Sequence, residues 1–177
     1  SSVELGIGGR DADGRYDLCA LPTEKRLASP AVVYSEGFEQ GIARWTATEG
    51  MTASVDAAAH GGKGCLLISG TQSGKAWNYA GITLHQPVRP ASRYRLSCWM
   101  RVDHLDPGSP APYLKIGLAD ARGKWLTNVQ TGSYDLGKLG AWQQLVAFVE
   151  TTANTAGGHL AIEKGNSEGR VAAAIRL

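Results

Sequence analysis

The side chains in this sequence that could do chemistry are its flat ones. Five Trp and six Tyr accompany only two Phe in 177 residues. Trp77, Tyr79, Trp99 and Trp125 stand in or beside strand-like runs that also carry Arg101, Asn128 and Gln130. An indole offers a broad apolar face, and planar amides and guanidinium groups offer hydrogen bonds at fixed angles. Such a set suits a pyranose ring, whose C–H face packs on an aromatic plane while its hydroxyls are bonded from the side. Nothing in that arrangement breaks a bond.

Hydrolysis would need paired carboxylates or a nucleophile beside a base. The sixteen acidic residues are scattered: Asp103 and Asp106 flank a Pro107-Gly108 loop, and Glu36 and Glu39 share the first strand region. His60 falls in a turn, His104 in a loop, and His85 and His159 at strand ends, with no His-x-His or His-x-x-x-His ligand spacing. Two other classes stay open on the residues alone. One is a jelly-roll polysaccharide lyase using Arg, Tyr and His; the other is a β-sandwich that spaces domains or makes the exposed tryptophans an interface core.

The elements that must position these side chains are strands. From Val32 onward, short runs of period-two alternation are each closed by Gly, Pro, Asn, Asp or Ser. Strands are predicted near 31–36, 44–48, 51–56, 64–70, 77–85, 93–102, 113–119, 124–131, 142–150, 158–164 and 171–177. That count of short antiparallel strands predicts an all-β fold, a two-sheet sandwich of jelly-roll type. No dozen residues show a convincing 3.6-residue apolar period, so a βαβ nucleotide fold is excluded.

Alternation also sorts faces. Over Arg93–Val102, Tyr94, Leu96, Cys98, Met100 and Val102 point to a core, while Trp99 shares the other face with Arg93, Arg95 and Arg101. Three guanidinium groups cannot be ordinary core, so Trp99 is either a surface platform or a ring covered by a loop. The same parity places Asn78, Ala80, Ile82 and Leu84 inward and Trp77, Tyr79, Gly81, Thr83 and His85 outward. It turns Leu114, Ile116 and Leu118 inward, with Tyr113, Lys115 and Gly117 outward. Small residues beside aromatics predict a trough, with Trp125 after the Asp120–Gly123 turn. Trp45 and Trp142, each following a glycine turn, read as closures of the sandwich ends.

Composition narrows the partners. A net charge of +2 with no basic cluster offers no field for nucleic acid, and the apolar runs are far short of a membrane-spanning length. Cys19, Cys65 and Cys98 match no zinc spacing, and at least one must be unpaired. Residues 1–29 read as a linker or the tail of a preceding domain, with 30–177 as the β domain. Within that tail, Asp11, Asp13 and Asp17 surround Gly14, but the glycine comes too early for a calcium loop and the closing Glu is missing, so a solvated turn is expected.

Four strings, in order, carry a resemblance: EGFEQGIARW at 36–45, HGGKGCL at 60–66, VRPASRYRLSCWMR at 88–101 and WQQ at 142–144. Together they resemble the carbohydrate-binding modules of families four, nine and twenty-two, jelly-roll domains attached to glycoside hydrolases, over residues 34–177. The resemblance implies a non-catalytic module that binds a polysaccharide of β-glucan or xylan type in a Trp-lined cleft, in a secreted or cell-surface protein. Trp77 and Trp125 match the aromatic pair that grips a sugar ring. Trp99 matches a strand on the cleft side, with Arg101 next but one, and Glu163 falls near a polar sugar contact; Tyr79, Asn128 and Gln130 complete the expected site. A structural calcium is also implied, with Glu39 as first ligand, Asp56 as a further carboxylate and Lys63 offering its carbonyl. The family's Asp pair in the last strand has no counterpart in Ala172–Leu177.

Overall fold

The structure is a computed structural model that describes residues 32–165 and 168–177, together with the backbone of residues 3–7. The Asp11, Asp13 and Asp17 turn and most of the expected tail lie outside the described residues.

All eleven predicted strands are present. In chain order the elements are β1 (Val3–Ile7), β2 (Tyr34–Glu36), β3 (Thr46–Ala47), β4 (Met51–Asp56), β5 (Cys65–Gln72) and β6 (Asn78–Thr83). They continue as β7 (Arg93–Leu105), β8 (Tyr113–Ala119), β9 (Trp125–Gln130), β10 (Gln143–Glu150), β11 (Gly157–Glu163) and β12 (Val171–Arg176). A seven-stranded sheet runs β2-β1-β7-β12-β5-β4, with β10 also pairing β7, and a five-stranded sheet runs β3-β6-β11-β8-β9. Every pairing is antiparallel. The sandwich is the predicted one.

The strand β1 is an addition, since its residues were expected to be linker. Its backbone pairs with residues 94–98 of β7 and with β2. A long central strand leaves donors and acceptors open wherever it has no neighbour, and any alternating segment that reaches them can satisfy them. The sequence VELGI does alternate, but Gly6, Gly8, Gly9 and the aspartates that follow make the segment read as tail.

Between the sheets lies the core. Tyr94, Leu96, Cys98, Met100 and Val102 of β7 face Leu114, Ile116 and Leu118 of β8 and Leu160 and Ile162 of β11, all buried. Each such Leu or Ile contributes about 1.5–3 kcal/mol over its exposed state. Cys65 and Cys98 are buried free thiols within the layers. Trp45, 2% exposed, closes one end as expected: its indole N–H donates to the Tyr34 hydroxyl at 3.0 Å and Phe38 meets it edge-on. Burial pushes the Tyr34 hydroxyl up to about 12. The strand expected over 44–48 shrinks to two residues because Ala43 and Arg44 take positive φ (49° and 71°), closing a turn in which Trp45 N–H donates to Ile42 O.

Parity fails at one place. Tyr79, expected to face outward, is fully buried in the core. The ladder between β6 and β11 shifts register there: Ile162 opposes Ala80 and Glu163 opposes Asn78, so Tyr79 is the extra residue of a bulge. A bulge lets two successive side chains leave the strict alternation, which sends Tyr79 inward and Asn78 outward. The Tyr79 hydroxyl finds no hydrogen-bond partner among the described residues, and desolvation raises its pKa.

An unpaired buried hydroxyl costs stability, whereas the ring beneath it contributes. Tyr79→Phe should therefore unfold in urea at the same midpoint or a higher one, by up to about 1 kcal/mol. Tyr79→Ala should lose about 3–5 kcal/mol through the cavity left behind.

Candidate functional site

The outer face of the five-stranded sheet is paved with small residues. Cross-strand register brings Gly117 of β8 opposite Asn128 of β9 on one side and His159 of β11 on the other, and His159 opposite Thr83 of β6. One step along, Lys115 lies between Gln130 and Ala161, and Ala161 lies beside Gly81. Since opposed residues share a face, this single surface carries Asn128, Gln130, Lys115, Gly117, His159, Ala161, Gly81 and Thr83.

Two rings lie across its glycines. A Cβ on Gly117 would overlap Cη2 and Cζ2 of Trp125, so the indole crosses β8 at the one residue without a side chain. A Cβ on Gly81 would stand 2.6 Å from His159 Nε2. The β8–β9 ladder slips at Leu118/Ala119, setting Trp125 opposite Ala119 and aiming its ring across the sheet. Around Trp125 opens a trough of ≈ 770 Å³ that runs to Thr83 and His159. A second depression of ≈ 340 Å³ begins at the same two residues and continues to Arg44 and Thr46. The two form a groove across the sheet. Five strands spaced by about 4.8 Å give it a width of roughly 19 Å, room for several sugar residues.

The floor is electrostatically settled. Lys115 Nζ lies 2.6 Å from Glu163 Oε1, with Glu163 only 2% exposed, and the same ammonium sits 5.7 Å from the centre of the Trp125 ring. Glu163 neutralises Lys115 while Lys115 polarises the indole above it. Burial first, and then the Lys115 charge, hold the His159 pKa below its usual value, leaving a neutral imidazole near pH 7. Its Nδ1 is 3.2 Å from the Thr83 hydroxyl. A neutral imidazole presents one donor and one acceptor, which matches sugar hydroxyls.

An aromatic plate, amides and a settled floor describe a site for a neutral, hydroxyl-rich ligand. Residues 30–169 match the family described as carbohydrate binding domain. The chain belongs to this family. It is a binding domain and not a catalyst. Among solved structures it is similar to the CBM22-1 xylan-binding domain from Paenibacillus barcinonensis Xyn10C (22% identity, TM-score 0.53, covering 79% of this chain and 90% of that one). It is also similar to the C-terminal family 22 carbohydrate binding module of Clostridium thermocellum Xyn10B (17%, 0.50, 78% and 87%). A third likeness is to the CBM22-1–GH10 modules of Clostridium thermocellum Xyn10B complexed with xylohexaose (11%, 0.55, 79% of this chain and 27% of that one). At these identities the likeness establishes the fold. No curated protein matches the chain.

Of the residues expected to hold sugar, the carbohydrate binding domain brings Trp125, Asn128, Gln130 and Glu163 to one face. Trp77 precedes β6 with its indole 56% exposed and its carbonyl accepting the Lys164 N–H, outside the residues lining the trough. Tyr79 is in the core. Trp99 and Arg101 sit on β7, in the other sheet, and do not join the groove. The His60 imidazole stacks on Trp99 at 3.7 Å and meets Trp142 edge-on, so Trp99 is a covered ring and not an open platform. Arg101 Nε is bonded to Asp103 at 2.6 Å. Lys115, read as outward from parity, joins the face together with His159 and with Asn78, which the bulge at Tyr79 turns outward; only the pairing register, which no local pattern displays, shows their company.

Each of the expected calcium ligands takes part in a hydrogen bond within the chain. The Lys63 N–H donates to Glu39 Oε1 at 2.7 Å. Asp56 accepts from Ala58 N–H at 2.7 Å and faces Arg176 Nη2 at 3.4 Å, which together hold its carboxyl below the usual range. Arg176 also pairs with Asp103, so a guanidinium occupies the neighbourhood where a cation would need open carboxylates. Among the described residues no group of three or more His, Cys, Asp or Glu could hold a metal.

Two outcomes follow from this geometry. Gly117→Ala should displace the indole, shifting Trp fluorescence and weakening sugar binding while the domain stays folded. The thermal midpoint should be the same in millimolar calcium and in chelator; a rise of several degrees with calcium alone would show that the Glu39 and Asp56 region rearranges to bind it.

Proposed function

We propose that this domain binds a β-linked polysaccharide chain of the xylan or β-glucan type along the groove of the five-stranded sheet, and holds an attached glycoside hydrolase on that substrate outside the cell. The observation that carries the reading is Trp125: an indole 48% exposed, lying over a glycine in a trough. Such a ring gains nothing by facing water and much by stacking on a sugar face. Asn128 and Gln130, exposed on the edge strand β9, supply hydroxyl contacts beside it, and His159 and Thr83 supply them in mid-groove. Glu163 acts beneath the ligand by fixing Lys115. The exposed Trp77 at the start of β6 adds a second aromatic at the far margin of the sheet.

Supporting the substrate class, one similar structure is described as a xylan-binding domain, and another holds CBM22-1 and GH10 modules in complex with xylohexaose. No helix among the described residues is long and apolar enough to cross a membrane.

Affinity electrophoresis in gels containing xylan or soluble β-glucan tests the reading. The wild-type domain should be retarded, and Trp125→Ala should weaken binding at least about tenfold, the usual cost of removing an aromatic anchor. Trp99→Ala should leave retardation unchanged. No retardation by any polysaccharide in a broad panel would overturn the assignment; release of unsaturated uronate products would replace it with a lyase.

A further inference from the structure

The stacking half of the groove leaves its other half unused. The ≈ 340 Å³ depression is lined by Arg44, Thr46, Thr48, Asn78, His85 and His159, among others. Three of these six carry basic nitrogens, and no carboxylate lines the depression. At the rim stands Arg44. Its φ of 71°, next to Ala43 at 49°, is a left-handed conformation that costs non-glycine residues about 1–3 kcal/mol each. The buried Trp45 and the Trp45 N–H to Ile42 O bond hold the turn in place. Strain of this kind persists where the surroundings over-determine the backbone conformation, and here it sets where the exposed Arg44 side chain leaves the turn.

Among the described residues, the Arg44 guanidinium has no ion pair, although Arg93, Arg101 and Arg176 each have one. The other full cation of the groove, Lys115, is neutralised by Glu163. Arg44 is therefore the one unpaired full cation among the residues lining the two depressions, and the one carboxylate, Asp120, lines the other depression, the trough around Trp125. A guanidinium fork matches a carboxylate in two parallel hydrogen bonds, whereas a neutral hydroxyl uses only one of its donors.

We propose that this depression receives an acidic sugar, a uronate substituent on the polysaccharide backbone, with Arg44 bonding its carboxylate. The proposal rests on the groove being the polysaccharide site, and adds that the site selects decorated chains. His85, His159, Asn78 and the two threonines supply hydrogen bonds to the remaining ring oxygens.

The experiment compares binding to glucuronoxylan with binding to the same polymer after its carboxylates have been reduced to alcohols, at neutral pH and low salt. Wild-type protein should bind the acidic polymer about three- to five-fold more tightly, the scale of one exposed charge pair, and added salt should erase the difference. Arg44→Gln should bind both polymers as wild type binds the reduced one, which also reports that it folds; Arg44→Lys should keep part of the preference. Equal wild-type binding to the two polymers, or a preference that survives in Arg44→Gln, overturns the inference while leaving the groove as the polysaccharide site. Failure to bind either polymer removes the groove assignment and the inference with it.

Discussion

An indole can lie flat across a β-sheet only where the strand beneath it carries no side chain. Gly117 meets that condition under Trp125, and much of the functional face depends on it. If β8 carried any other residue there, the ring would stand away from the sheet and close the trough. Strand β6, on the far side of β11, repeats the device, with Gly81 beneath the His159 imidazole. Glycine weakens a strand, because it brings entropy cost and no packing. These two positions are in central strands of a five-stranded sheet, where their inner-face neighbours Ile82, Ile116, Leu118 and Leu160 are buried firmly enough to carry that loss.

The same face shows how a charge can be present without attracting charge. Lys115 is mostly buried, and an unpaired ammonium there would be costly; Glu163, 2% exposed, compensates it. Such pairs add little net stability, because desolvation offsets attraction. What the pair supplies is placement, since it fixes Lys115 under the rim of the indole. On the opposite sheet a second network does a different job. Arg176 of β12 joins Asp56 of β4 and Asp103 of β7, and Arg101 joins the same Asp103. It ties three strands across the outer surface with guanidinium groups.

Much of this architecture was legible in the sequence, and the failures share a cause. Period-two alternation identified eleven strands and the core faces of β7 and β8, because a buried face enforces strict parity. Alternation does not say to which sheet an outward face belongs. Trp99 and Trp125 both read as outward aromatics, yet the two outer faces lie on opposite sides of the sandwich. Arg101 was misjudged with Trp99 for the same reason. Tyr79 was lost to a one-residue bulge, which no local composition signals. Lys115 and His159 matter through register with β11 and β6, a long-range property. Arg44 was invisible because its significance lies in a left-handed backbone, and nothing in Ala43-Arg44 announces one.

A groove with one unpaired cation, Arg44, in one half and one carboxylate, Asp120, in the other differs in kind from a uniformly basic one. Distributed positive charge would raise encounter rates with any polyanion and would discriminate poorly among them. Stacking on Trp125 and hydrogen bonds from Asn128, Gln130 and His159 reward a chain with the right ring faces and hydroxyl directions, whatever its charge. A single guanidinium at the end of that groove then acts only on a chain already seated by its neutral contacts. Affinity and selectivity are thereby divided between the two halves of one surface. Arg44 stands at the β3 end of the sheet, three strand spacings or roughly 14 Å from the β8 strand beneath the indole, so the two contacts do not compete. A strained turn backed by a buried tryptophan is a physical means of keeping it at the rim.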